Sequence, residues 1–218
     1  MERFFSRTNQ KYYDQLRPTT EKSDVTTNAN KNLTLLRHAK SSWTNSHVSD
    51  HERPLNDRGK RDAPEMARRL LERACIPDCI YVSSAVRALE TASLVAEVLG
   101  VPETHIHVFD RLYLAPAENI LSVVKQAEKE EINHLMVVGH NPGMETLGSY
   151  LAPEAMSQLP TTGIYHFDCT GFDLLSLRDV PVADGRSDRP KNYRDELDNH
   201  KPTHHDINLV FQDFPKNR

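Results

Sequence analysis

The chain has 218 residues, which suits one domain with extensions better than two full domains. An apolar fraction of 38% and a mean hydropathy of −0.62 fit an ordinary core diluted by polar segments. The net charge of −4 supplies no positive field to recruit nucleic acid or membrane, and no apolar run approaches the roughly 20 residues that span a bilayer.

Residues 1–32 carry Phe4, Phe5, Tyr12 and Tyr13 and then a Thr/Asn/Lys-rich run. They contain no apolar core of a secretory signal, and Glu2, Asp14, Glu21 and Asp24 argue against an organellar transit peptide. The reading is a flexible N-terminal extension ahead of a domain over residues 33–218. Leu33, Leu35 and Leu36 around Thr34 form a short buried strand that ends at Arg37-His38. After a polar loop over 44–53, Asn56 or Asp57 caps a helix reaching about Arg73. Ala63, Met66, Ala67, Leu70 and Leu71 recur there at helical spacing, with Pro64 in the first turns.

A second strand over 79–82 leads to Ser83-Ser84 and a helix over 86–99 stopped by Gly100. Residues 106–109 read as a third strand and 117–130 as a helix. The run 135–138 is apolar throughout, as in a strand buried on both faces. Gly139-His140-Asn141-Pro142-Gly143 follows it, with Pro142 opening a helix over 144–151. Strand and helix alternate in the rhythm of βαβ units. The fold class is therefore α/β, three layers, with a mostly parallel sheet flanked by helices. Residues 164–167 and 174–177, linked through Gly171, read as a late hairpin. Residues 179–206 read as a polar insertion, and 208–211 as a strand returning to the sheet.

Cys75, Cys79 and Cys169 are an odd set without metal-type spacing, read as reduced thiols in a cytoplasmic compartment. His204-His205 lacks a third ligand at a suitable spacing, and His105 and His107 share only a strand face. Neither pair is read as a metal site, and no cofactor is implied.

Ligands of an open α/β sheet lie at the carboxyl ends of its strands. Three such ends finish in Arg37-His38, in Ser83-Ser84 with Arg87 just beyond, and in Gly139-His140. In a parallel sheet these open on one edge, so Arg37, His38, Arg87 and His140 converge. Guanidiniums match phosphate oxygens with a forked geometry and keep their charge, and helix starts add oriented N–H groups. A neutral imidazole is a competent nucleophile toward phosphorus, and adjacent arginines oppose its protonation. The scheme is transfer of phosphate to His38, then attack of water on phospho-His38. The arginines supply the electrostatic stabilisation a metal would otherwise give.

The chain resembles the histidine phosphatase superfamily, which is phosphoglycerate mutase-like, and within it the SixA-type phosphohistidine phosphatases. The resemblance rests on LLRHAKSSW (35–43), ERPLNDRGKRDA (52–63), SSAVRALETA (83–92), VVGHNPGME (137–145) and DFPKN (213–217). It covers about 33–178 and 206–217. It implies His38 as nucleophile and Arg37, Arg87 and His140 as phosphate-binding groups. The superfamily's RHG triplet stands here as Arg37-His38-Ala39. Many members carry a general-acid Glu in a Leu-x-Glu run; the matching run here is Leu112-Tyr113-Leu114. A sugar alkoxide leaving group wants a proton donor, whereas imidazole leaves phosphorus more easily. The substrate implied is a P–N bond such as protein phosphohistidine; Asp110 or Glu118 could still supply a proton from nearby.

Arg53 and Arg58 read as structural ion-pair partners ahead of substrate contacts. Ser84 either binds phosphate or caps the next helix. Trp43 either walls the pocket or belongs to the core, and the role of Thr161-Thr162 stays open. The partner is a phosphorylated protein or a small phosphorylated substrate. The alternatives are a phosphatase of small esters and a non-catalytic phosphoryl-binding module.

Overall fold

The computed structural model describes residues 31–44, 47–129, 132–152, 158–170 and 207–215. Of the expected N-terminal extension over 1–32, residues 1–30 lie outside the described residues, as do the insertion over 179–206 with His204-His205 and the hairpin arm 174–177, while Asn32 already belongs to the first strand.

Among the described residues, six strands form one sheet: β1 (Asn32–Arg37), β2 (Cys79–Ser83), β3 (Ile106–Phe109), β4 (His134–Gly139), β5 (Ile164–Asp168) and β6 (Asn208–Asp213). Their order is β3-β2-β4-β1-β5-β6. The first four run parallel, while β5 is antiparallel to both β1 and β6. The sheet is thus mixed. β5 takes β6 as its antiparallel neighbour, a pairing between segments distant in sequence.

Among the described residues, four α-helices cover the sheet: α1 (Asp57–Glu72), α2 (Val86–Leu99), α3 (Ala117–Lys129) and α4 (Gly143–Leu151). Successive side chains of a strand point to opposite faces. Leu36, Ile80, Val82, Met136 and Val138 therefore pack with α1 and α2, while Leu33, Leu35, Tyr81, Leu135 and Val137 pack with α3 and α4. Every residue of β2 and β4 is buried, as two-sided coverage requires. This is the three-layer α/β architecture.

Local chemistry sets the ends of these elements. Asn56 caps α1 by accepting from the Gly59 amide at 2.9 Å. Pro64 is the eighth residue of α1, beyond the first turn, where it removes an internal helix bond. Gly100 closes α2 in the left-handed region at φ 73°. A Cβ on Gly59 would overlap the Lys40 carbonyl oxygen, so glycine allows α1 to lie directly on the loop that follows β1. The Asn56 amide donates to that carbonyl at 3.0 Å and the Ser42 amide to the Pro54 carbonyl at 2.9 Å. The start of α1 and the residues just after His38 are therefore one fastened unit.

Candidate active site

The register places three strand ends side by side. Arg37 pairs with Gly139, and Val82 with Val138, so His38, Ser83 and His140 leave the sheet at the same edge. The His38 amide donates to the Gly139 carbonyl at 3.0 Å, which holds the first turn of chain beyond β1 against the end of β4. Among the described residues, no helix is long and apolar enough to cross a membrane.

His38 is 8% exposed. Its Nδ1 lies 2.8 Å from the Ala39 carbonyl oxygen. A carbonyl only accepts, so Nδ1 carries the proton and Nε2 presents a bare lone pair. That Nε2 accepts from the Nε–H of Arg87 at 3.4 Å. Burial, then the charges of Arg87, Arg37 and Arg53, push the imidazole down to about 4 against an opposing bond to Ala39. His38 is neutral and unprotonated on its outward nitrogen at neutral pH.

His140 stands next to it, with ring centroids 4.9 Å apart. Its Nδ1 accepts from Arg87 Nη2 at 3.4 Å, so Nε2 bears the hydrogen and donates to the Ser83 hydroxyl at 2.8 Å. Burial, His38 and Arg87 press it down to about 3. One guanidinium thus donates to lone pairs of two neutral imidazoles. Ala39 is held in turn: its amide donates to the Thr91 hydroxyl at 3.0 Å, and that hydroxyl donates to the Arg87 carbonyl at 2.6 Å.

Arg37 contributes its charge to His38 while its side chain is held by a different segment. Its Nη1 donates to the Leu159 carbonyl at 2.8 Å, while Nε is buried with no partner among the described residues. Burial lowers its pKa, opposed by the charge of Glu145. An open cavity of about 580 Å³ adjoins it, lined by Arg37, Asn141, Glu145, Leu159, Pro160 and Phe214. The buried Thr162 amide donates to the Arg37 carbonyl at 3.0 Å and the His38 carbonyl at 3.2 Å, at a backbone φ of 63°. Thr162 therefore holds the backbone of the Arg-His pair.

Several site residues carry no periodic signal in the sequence. Asp50 accepts from Arg87 Nη2 at 2.9 Å, from Arg53 Nη1 at 2.6 Å and from the Tyr113 hydroxyl at 2.8 Å. Burial would raise its pKa, but the Tyr113 hydroxyl, Arg87 and Arg53 outweigh it and hold the carboxyl below the usual range. His51 donates or accepts at Nε2 with the Ser84 hydroxyl at 3.0 Å, and its ring packs edge-on against Tyr113 at 4.8 Å. Asp50 and His51 precede the ERPLN run directly, which is the one sequence signal that could have marked them.

Other expectations meet specific outcomes. Arg53 is a structural partner: besides Asp50 it donates to the Ser42 carbonyl and the Ser41 hydroxyl. Arg58 pairs with Asp62 at 3.1 Å on the helix surface. Trp43 is not core; it is 73% exposed and stacks on the Arg53 guanidinium at 3.3 Å. Ser84 does not cap α2, whose N-cap is Ala85 without a side-chain bond; its hydroxyl faces His51. The first amides of α2 turn to protein acceptors, Ala85 to the Ser83 hydroxyl and Val86 to the His51 carbonyl, so they are not open anion donors. Leu114 is 52% exposed at φ 46°, and Tyr113 is the member of its run that faces the cluster. Among the described residues, neither Asp110 nor Glu118 makes a side-chain bond to the four converging residues. His107 packs edge-on against Tyr81 on the edge strand, at 5.7 Å.

Two histidines and two arginines thus gather at one edge of a three-layer α/β sheet, an arrangement with the charge and donors to hold an anion. Residues 33–113 match the histidine phosphatase superfamily (branch 1). The chain is 30% identical to the solved SixA phosphohistidine phosphatase candidate of Agrobacterium tumefaciens, covering 63% of this chain and 91% of that one with a TM-score of 0.56. It shares the fold of the protein histidine phosphatase SixA solved with tungstate, at 22% identity, a TM-score of 0.57, and 62% and 86% coverage of the two chains. An uncharacterized chloroplastic protein of Arabidopsis thaliana is 34% identical over 58% of this chain, and the match spans 61% of that relative's length. The chain belongs to the histidine phosphatase superfamily.

Proposed function

We propose that the chain is a phosphohydrolase that works through a phospho-His38 intermediate, with protein phosphohistidine as its substrate. The observation that carries this reading is the tautomer of His38: with Nδ1–H on the Ala39 carbonyl, the bare Nε2 faces the guanidinium of Arg87. A phosphoryl oxygen entering there takes the N–H donors that Arg87 now shares between the two imidazoles, and the buried Nε of Arg37 supplies another. Nε2 then attacks phosphorus in line with the leaving group, and the arginines stabilise charge on the equatorial oxygens. Asp50 holds Arg87 in place from behind. Water hydrolyses the P–N bond of phospho-His38 and returns the free imidazole. The residues assigned are His38 as nucleophile, Arg37, Arg87 and His140 as phosphate-binding groups, and Ser84 at the substrate side. The compartment that fits a protein-borne substrate and three cysteines that form no disulfide is the cytoplasm.

The substrate assignment is supported by Leu114, which leaves no carboxylic acid where an alkoxide would need one, and by the likeness to the SixA candidate. The competing substrate class is small phosphate esters. The test is turnover on a phosphohistidine protein, a phosphoramidate and sugar phosphates, together with labelling of the enzyme. The expected result is acid-labile phosphate on His38, lost in His38→Ala, and preference for the P–N substrates. Preference for the esters would overturn the substrate class, and absence of labelling would overturn the enzyme.

A further inference from the structure

We propose that His51 is the proton donor to the leaving group and, in the second half-reaction, the acceptor of the proton of water. The proposal rests on the phospho-His38 reading and completes it.

The rings of His38, His140, Tyr113 and His51 follow one another in contact, with centroids 4.9, 5.7 and 4.8 Å apart. Each of the first three is committed. Both nitrogens of His38 and of His140 are engaged, by Ala39 and Arg87 and by Ser83 and Arg87. The Tyr113 hydroxyl gives its hydrogen to Asp50, whose carboxylate is neutralised by Arg87 and Arg53. Burial and the arginines keep the two inner imidazoles unprotonated, and Asp50 is held ionised, so none of these is a reservoir of acid.

His51 is placed differently. Its Nε2 is anchored on the Ser84 hydroxyl, its carbonyl accepts the first amide of α2, and its ring is half-buried against Tyr113. The backbone next to it carries Asp50, which contacts Arg87 directly. The imidazole is thus fixed between Ser84 and Tyr113, one residue from the group that holds Arg87, with Nδ1 unassigned to any protein partner among the described residues. Imidazole is the side chain suited to both holding and releasing a proton near neutral pH.

The two half-reactions balance. In the first, His38 Nε2 forms a bond to phosphorus, the bond from phosphorus to the leaving oxygen or nitrogen breaks, and protonated His51 delivers its proton to that atom. In the second, neutral His51 takes a proton from water as the water oxygen attacks phosphorus. The P–N bond to His38 breaks, phosphate leaves, and His51 is again protonated. The net reaction is hydrolysis.

The experiment compares His51→Gln with the unaltered full-length chain on p-nitrophenyl phosphate and phenyl phosphate. Glutamine keeps a partner for Ser84 but cannot transfer a proton. The first leaving group needs little protonation and the second needs it strongly. The expected result is a fall in kcat/KM of about 10²-fold or more on phenyl phosphate and of less than about 5-fold on p-nitrophenyl phosphate. Retained turnover of p-nitrophenyl phosphate shows that the variant is folded. Ser84→Ala, which keeps the imidazole but removes its anchor, is expected to show the same bias with a smaller loss. An equal fall on both substrates, or no fall on either, overturns the proposal. Absence of acid-labile phosphate on His38 in the unaltered chain overturns the underlying reading as well, and that outcome is distinguishable from the other two.

Discussion

Two pairs of buried histidines sit at opposite ends of the same sheet. At the carboxyl end are His38 and His140; toward the amino end of β1 are His134 and His166, joined through Thr34. The second pair also forms a tautomer chain. His134 Nδ1 donates to the Ile76 carbonyl at 3.0 Å, so the Thr34 hydroxyl donates to His134 Nε2 and accepts from His166 Nδ1, both at 2.8 Å. Burial pushes all four imidazoles down, His38 and His166 to about 4, His134 and His140 to about 3. What differs is the company. His38 and His140 share an arginine with a carboxylate behind it, while His166 stacks on Phe211 and faces the Cys75 thiol at 3.8 Å. A buried, neutral histidine is not a reaction centre by virtue of burial. Among the described residues, only at the carboxyl end do cations stand beside the lone pair, set to receive an anion.

The largest expected effect falls at the carboxyl end. His38→Ala is expected to lower turnover by about 10⁴-fold or more and abolish acid-labile labelling, both read on folded protein. Comparable labelling in that variant would break the contrast, because it would assign the chemistry elsewhere. Arg87→Ala is expected to lower kcat by about 10²–10³-fold, as the loss of a preorganised donor does. Turnover within about 5-fold of the unaltered chain would contradict its role.

Acidification acts on both ends together. Each histidine stays neutral in the folded chain below the pH at which it protonates when unfolded, so the unfolded state binds more protons. Stability is therefore full above about pH 6.5 and falls as pH drops toward 4, by about 1.4 kcal/mol per pH unit for each such histidine. Urea midpoints measured between pH 7 and pH 4.5 check this; a flat profile would mean that the rings are protonated in the fold. The smallest effect separates the two ends. Thr34→Val leaves two buried ring nitrogens without partners, costing about 2–4 kcal/mol, and is expected to leave kcat unchanged. A parallel loss of kcat, read on folded protein, would show that the two ends are coupled.

Much of this was legible in the residues. The fully apolar run from Leu135 to Val138 announced a strand covered on both faces, and β4 is buried throughout. Asn56 and Gly100 marked the limits of α1 and α2 through their own side-chain and backbone chemistry. Strand ends carrying Arg37-His38 and His140 could be assigned to one edge because parallel strands must point the same way. The loop with Asp50 and His51 was opaque, since its contacts with Arg87, Ser84 and Tyr113 span 33 to 63 positions and follow no period. The same holds for Trp43, whose exposure depends on a stack with Arg53.

Local propensity and hydrophobic period, both short-range, determined the strands, the helices and the edge on which four chemical side chains would meet. Tertiary structure decided the antiparallel placing of β5 and β6, the tautomers of the imidazoles and the carboxylate behind Arg87. Those depend on which atoms distant stretches of chain bring within a hydrogen bond, and burial makes each such bond obligatory.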